Sequence, residues 1–331
     1  MKEADIRPAR VHERYLTLTQ QDTKTFFADH AGWAECPCPG CGGEDARPAF
    51  TKHGFPYVQC AACASLYVSP RPPQPALDRF YRDAPSSRYW AQEFFPAVEE
   101  ARREQIIRPR VRRILEHERL RRLGLDRPLV VDVGAGAGVF LTELLAAAPE
   151  AEVVAVEPGE DLAAQARAHG LQVIEKPVED CDGLEGEADI VTSFEVLEHV
   201  HDPLAFLGAV ARLAKPGGLL LVTGLNGDGF DVQVLWSEAK AVSPPHHLNF
   251  LSVEGLESLC RRAGLTGVEI ETPGELDVEI VRKGLAEGLA PDAPRFLRLL
   301  LQRRNGEVGA RFQDFLRDAR LSSHTWIWAT A

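Results

Sequence analysis

The 331-residue chain has no apolar run near the roughly 18 residues that a bilayer-crossing helix needs. It also has no internal repeat and no low-complexity tract. Those absences argue against a helical membrane protein, a solenoid and a fibrous chain. The opening stretch, MKEADIRPARVHERY, is charged throughout and lacks the apolar segment of a secretory signal, so a cytoplasmic protein is expected. Positive charge is short as well. The net charge is −12, with 20 Lys and Arg against 16 Asp and Glu in residues 1–125 and 17 against 33 in the remainder. A polyanion such as nucleic acid is not an expected partner for so acidic a larger part. What is present is a 45% apolar composition in a chain long enough for one catalytic domain and something smaller.

Seven cysteines in a chain of this kind point to metal or thiol chemistry rather than a disulfide framework, and five of them fall in residues 36–63. There Cys38-x2-Cys41 and Cys60-x2-Cys63 are two hooks 18 residues apart. Each hook is a tight turn presenting two thiolates, and together they supply the four ligands of one tetrahedral Zn2+. Cys36 is a spare that could replace Cys38. Cys181 and Cys260 stand alone and suit small buried positions.

The zinc ribbon, at 31–70, follows an N-terminal arm, 1–30. SPRPPQP (69–75) cannot continue a helix or an inner strand, so it begins a stiff connector at 71–125 that runs into an arginine-rich helix. Ile107, Val111, Ile114 and Leu115 recur at helical spacing there, and the nine arginines of 101–124 are expected to form a solvated basic face. From residue 126, apolar runs of strand length alternate with helical patterns, which indicates a parallel sheet covered on both faces. Asp202 before Pro203 and Ser252 before its helix are natural N-caps. GVEIE and SHTWIWAT are the last two strand-like runs, with a helical insertion at 276–320 between them.

The stretch VVDVGAGAG places Gly134, Gly136 and Gly138 between a strand and a helix, where an α/β sheet binds ligands against bare backbone N–H groups. A dinucleotide fingerprint would want its third glycine at position 139, which is Val139. Asp132 repels a pyrophosphate but suits a ligand with an amino group, and Glu157, 25 residues on, can accept both hydroxyls of a ribose. A nucleoside bearing an amino acid and no phosphate fits, which describes S-adenosylmethionine.

With VVAVEP, ADIVTSFEVLEHVHDP and LAKPGGLLLVTG following in order, the chain from about residue 100 resembles the class I S-adenosylmethionine-dependent methyltransferases. The resemblance implies an α/β fold, a Rossmann-like sheet that is parallel with a final antiparallel strand, joined here to the N-terminal zinc ribbon. It implies that Asp132, Gly134, Gly136 and Gly138 line the methionine half, that Glu157 holds the ribose, and that Val178, Glu179 and Asp180 lie beside adenine. Ser193, Phe194 and Glu195 would then end the fourth strand near the transferred methyl group. The ribbon, the connector and PPHHLNFLS (244–252) look like the bacterial branch that modifies sugars, quinones and natural products.

Methyl transfer needs a nucleophile aligned behind the methyl carbon, and a base only if that nucleophile arrives protonated. His246 and His247 are the candidate bases, against a purely structural role in capping the next helix. Glu195, Glu198 and His199 of EVLEH could share a helical face and either hold a divalent cation or position substrate. Tyr89 and Trp90 are candidate lid residues over a small-molecule acceptor. Two other readings stay open: a methyltransferase of RNA or protein guided by its ribbon, and a non-catalytic S-adenosylmethionine-binding protein. The sequence leaves the acceptor atom and the oligomeric state undecided.

Overall fold

The computed structural model describes residues 8–303 and 306–331. The first seven residues of the expected arm and residues 304–305 of the expected insertion lie outside the described residues. The seven-stranded sheet is built from β4 (Leu129–Val133), β5 (Glu152–Val156), β6 (Gln172–Ile174), β7 (Ala188–Phe194), β8 (Ala214–Leu225), β10 (Thr266–Glu271) and β11 (His324–Thr330), in the order β10-β11-β8-β7-β4-β5-β6. Strands β6, β5, β4, β7 and β8 run parallel, and β11 pairs antiparallel with both β8 and β10. This is the expected Rossmann-like sheet with an antiparallel final strand.

The strands are apolar throughout because both faces are covered. Successive side chains point to opposite faces, so Val130 joins Phe140, Leu144, Ile190 and Trp328 on one side while Val131 joins Phe206, Leu207, Leu256 and Ile327 on the other. Asp202 caps the helix Pro203–Leu213 by accepting from the Leu204 and Ala205 N–H groups, and Ser252 caps Val253–Arg262 through Gly255 N–H.

The smaller sheet consists of β1 (Ala46–Lys52), β2 (Phe55–Cys60), β3 (Leu66–Val68) and β9 (Asn249–Phe250). Its first three strands come from the cysteine segment and its fourth from PPHHLNFLS, paired as Leu66 with Phe250 and Tyr67 with Asn249. So short a segment has little apolar material of its own, so bound metal is expected to supply most of its folding energy and its core is expected to be separate from that of the parallel sheet. The structure adds partners from outside the ribbon, though not from the two sheet cores. Phe55, Tyr57, Leu66 and Val68 bury themselves with Val232, Leu235, Leu248, Phe250, Val281 and Leu316 in one shared core.

Residues 85–116 form one continuous helical rod with π turns at Trp90–Phe94 and Arg103–Ile107. Pro96 and Pro109 explain both turns. Each lacks an N–H and its ring crowds the carbonyl four residues back, which is the middle of the preceding π turn. The rod is pinned by ion pairs, Arg103 and Arg108 to Glu143, and Arg113 to Glu271. Much of the basic face expected to meet solvent is therefore satisfied by the acidic sheet domain.

Candidate active site

The glycine loop leaves β4 with Gly134, Gly136 and Gly138 at φ of +72°, +57° and +75°. Two of them allow close packing: a Cβ on Gly134 would stand 2.4 Å from Val196 Cγ2, and one on Gly138 2.2 Å from Leu171 Cδ1. Gly136 differs, since a Cβ there would meet nothing within 4 Å. It faces open space in front of the loop. Gly136→Ala is therefore expected to keep the fold, at a cost of about 1–2 kcal/mol for the left-handed backbone, while its methyl group enters the open space in which the family resemblance places the cofactor's methionine half. Thermal melts and calorimetry with S-adenosylhomocysteine check this, with a Tm loss of a few degrees beside at least a tenfold loss of affinity as the expected result.

Glu157, just past β5, is buried and accepts from Gly136 N–H and Gly159 N–H, each at 2.8 Å. Burial raises its pKa while the two amides oppose the rise. Each oxygen keeps a second lone pair for a hydroxyl. Asp132 is buried, accepts from Thr192 Oγ1 at 2.7 Å and is pushed up to about 7 by burial, against the pull of Thr192 and Arg110. A bound ammonium group would reverse that push. Val178 is buried in the single turn Val178–Asp180 after β6, whereas Glu179 and Asp180 are exposed. Ser193 Oγ is buried without a hydrogen-bond partner at the end of β7, and Phe194 meets Phe140 edge to face at 4.6 Å.

EVLEH is not a helix. Residues 197–199 form a turn, and the chain bends at Glu195, which sits at φ +56°. That turns its carboxylate to Thr223 Oγ1 at 2.7 Å, His324 Nε2 at 2.5 Å and Arg110 Nη2 at 3.4 Å. Burial pushes the Glu195 pKa up, but His324, Arg110 and Thr223 together hold it well below the usual carboxylate range. Glu198 is instead buried with Oε2 unpartnered and is pushed up by burial and by Glu195. Ligand atoms of Glu198, His199 and His247 lie within 4.8 Å of one another, close enough for one cation; Glu195 is not in that group.

The histidine loop is fastened to this turn by Leu248 N–H and Asn249 N–H, both donating to Glu198 O, and by Asn249 Nδ2 donating to Val200 O. His246 is buried with Nε2 unpartnered, and burial first, then His247, pushes it down to about 3. Its ring lies 5.8 Å from Tyr15, 5.1 Å from Phe80 and 5.6 Å from Tyr81. His199 approaches the His247 ring at 4.8 Å and Tyr81 Oη at 3.4 Å. His247 Nδ1 is 2.5 Å from Ala241 O. Trp90 stacks on Phe94 and leans on Tyr15 at 5.0 Å, and Tyr89 Oη donates to Val11 O. The helix Ala9–Phe26 thus joins Phe80 and Tyr81 of the helix Gln74–Asp83 over His246, and the rod backs Tyr15 through Trp90 and Phe94.

Cys38, Cys41, Cys60 and Cys63 converge with all four Sγ atoms within 4.8 Å, and the Cys38–Cys63 and Cys41–Cys60 pairs are each 3.5 Å apart. Thiolates tetrahedral about Zn2+ at about 2.3 Å stand roughly 3.8 Å apart, so the set fits. Gly43 N–H donates to Cys41 Sγ. Cys36 is outside the set, its thiol donating to Val68 O.

Sequence reasoning missed Arg110, Thr223, His324 and Tyr15. Arg110 carried a signal: it falls between Ile107 and Ile114 at helical spacing, on the apolar stripe. Its guanidinium is buried, 4.4 Å from the Phe194 ring centre and 5.8 Å from that of Trp326.

Residues 100–270 match the family model described as "Methyltransferase domain". The Ubiquinone biosynthesis O-methyltransferase of Methylococcus capsulatus is 43% identical over 103 residues, covering 29% of this chain and 43% of that protein. Its namesake from Xanthomonas oryzae pv. oryzae is 36% identical over 157 residues, covering 44% of this chain and 65% of that protein. The chain thus spans less than two thirds of either relative. The complex between the Haloferax volcanii Trm112 methyltransferase activator and a methyltransferase aligns at TM-score 0.50 and 18% identity, over 73% of this chain and 96% of that one, a likeness of fold. No described helix is long and apolar enough to cross a membrane.

Proposed function

We propose, on the premise that this chain belongs to the class I S-adenosylmethionine-dependent methyltransferase family, that it methylates a hydroxyl of a small-molecule acceptor, with a zinc ion held by Cys38, Cys41, Cys60 and Cys63. The observation that carries the reading is the pairing of buried Glu157 with the open space before Gly136, a ribose-accepting carboxylate beside a bare loop. Buried Asp132 and the glycines would hold the amino acid half, and Val178, Glu179 and Asp180 the adenine end. The names of the two relatives favour oxygen as the acceptor atom.

The sulfonium supplies the electrophile, so the protein's task is alignment and exclusion of water. Tyr15, Trp90 and Phe94 form an aromatic cluster that meets His246 through Tyr15. Burial keeps His246 neutral but also makes it a weak base, at about 3, so its buried, unpartnered Nε2 takes the hydroxyl proton only as the C–O bond forms and the methyl–sulfur bond breaks, when that hydroxyl is most acidic. An RNA or protein acceptor is less well supported, because the ribbon's apolar residues and many rod arginines are spent inside the chain.

Calorimetry tests the cofactor half directly. Glu157→Ala is expected to weaken S-adenosylmethionine by about 1.5–3 kcal/mol, the cost of hydrogen bonds lost to a charged group, and NAD should give no heat of binding. Tight NAD binding, or equal affinity of the variant, would overturn the reading.

A further inference from the structure

We propose that the ribbon is a positioning device for the histidine loop, with Tyr57 as the residue that transmits its geometry; this rests on the reading of His246 and His247 as part of the acceptor site. Tyr57 lies on β2, is wholly buried, and its hydroxyl donates to His247 O at 2.7 Å. The next strand grips the same loop: Val68 N–H donates to Leu248 O, and Leu66 and Tyr67 pair with Phe250 and Asn249. Arg71, just beyond β3 and also buried, donates to His201 O at 2.6 Å and Asn249 Oδ1 at 3.2 Å. The hairpin therefore holds the histidine loop, and Arg71 just after it ties that loop to the backbone two residues past His199.

The cysteine cluster sits at the tip of that hairpin. Cys60 ends β2, Cys63 precedes β3, and Ala64 between them takes a left-handed φ of +60°. A non-glycine residue in that region needs its surroundings to hold it. A metal bridging this knuckle to Cys38 and Cys41 fixes the β2–β3 register, and with it the height at which Tyr57 meets His247. The far side of the knuckle is anchored too: Ser252 Oγ donates to Cys63 O, Ser252 N–H donates to Ser65 Oγ, and Arg262 donates to Pro39 O and Gly40 O. The ribbon is clamped between the histidine loop and the helix that follows it. No macromolecular partner is required to explain its presence.

The test uses the full chain purified with its metal. Tyr57→Phe deletes one hydroxyl and should leave bound zinc and S-adenosylhomocysteine affinity unchanged within twofold. Amide exchange over 246–250 should speed up by at least tenfold, and the side-chain NMR signals of His246 and His247 should move. Chelation of the wild type should produce the same changes in larger measure, with exchange at 130–138 unaltered. Cys60→Ser is a second route to the chelated state should chelation precipitate the protein. Unchanged exchange and unmoved histidine signals in Tyr57→Phe, with zinc retained, would overturn the proposal. Failure of the wild-type protein to bind S-adenosylhomocysteine would instead sink the methyltransferase reading and leave the exchange result standing.

Discussion

Removing the zinc ion proposed for the four-cysteine cluster is expected to release far more than the ribbon. Structural zinc contributes about 10–16 kcal/mol in isolated finger peptides, against a net stability of about 5–15 kcal/mol for a whole domain. Which residues follow the metal depends on who shares its core. Phe55, Tyr57, Leu66 and Val68 pack with Val232, Leu235, Val281, Leu285, Leu301 and Leu316, so these cannot stay buried once β1–β3 dissolve. The seven-stranded sheet keeps its two cores, whose members come from the strands and their flanking helices. Chelation should therefore raise exchange together at 55–68, 232–235, 278–285 and 312–316, with loss of much of the calorimetric unfolding enthalpy in one step. Glycine-loop amides should stay protected. Exchange confined to residues 36–68 would show that the ribbon folds alone, as its sequence by itself suggests.

That difference marks the boundary of what the sequence discloses. Strand–helix alternation, the glycine loop, the acidic residue after β5 and the paired cysteine hooks are local patterns, fixed by period and spacing within a few residues, and the parallel sheet that the alternation indicates is found, with the antiparallel final strand that the family resemblance implies. The fourth strand of the ribbon sheet is two residues long and lies 181 residues beyond β3, so no local pattern announces it. Tyr15 reaches His246 from the first described helix, and His324 reaches Glu195 across 129 residues. EVLEH was misleading for a related reason. Its spacing favours a shared helical face, yet the segment is stapled to β9 through backbone atoms of Leu197, Glu198 and Val200, which its side-chain pattern does not encode. Sequence spacing found the strand ends proposed to bind the cofactor; the proposed acceptor side is assembled from distant segments and was legible only as a list of candidates.

The buried ion pair beneath that acceptor side gives the second large effect. Arg110→Met keeps the length and much of the packing against Phe194 and Trp326 but leaves Glu195 with His324 and Thr223 alone. Breaking one partner of a buried pair costs about 3–5 kcal/mol; Glu195 is one third exposed, so a loss nearer the lower figure is expected at pH 7. The pH dependence has a definite sign. A carboxylate whose pKa is depressed in the folded state adds stability above its unfolded value, here 4.5, and loses it as the pH falls through the folded value. Without Arg110 the depression is smaller, so the variant has less of this stability to lose and loses it at higher pH. The gap between wild type and variant should therefore narrow below pH 4.5 and, because Arg110 also pulls on buried Asp132 at about 7, go on widening through neutrality. Arg112→Met, on the exposed face of the same helix, should change stability by no more than about 0.5 kcal/mol. Urea unfolding of the three proteins at neutral and acid pH decides the matter. If Arg110→Met and Arg112→Met unfold alike, Arg110 is one more solvated arginine of the rod, and Glu195 is held by His324 and Thr223 without it.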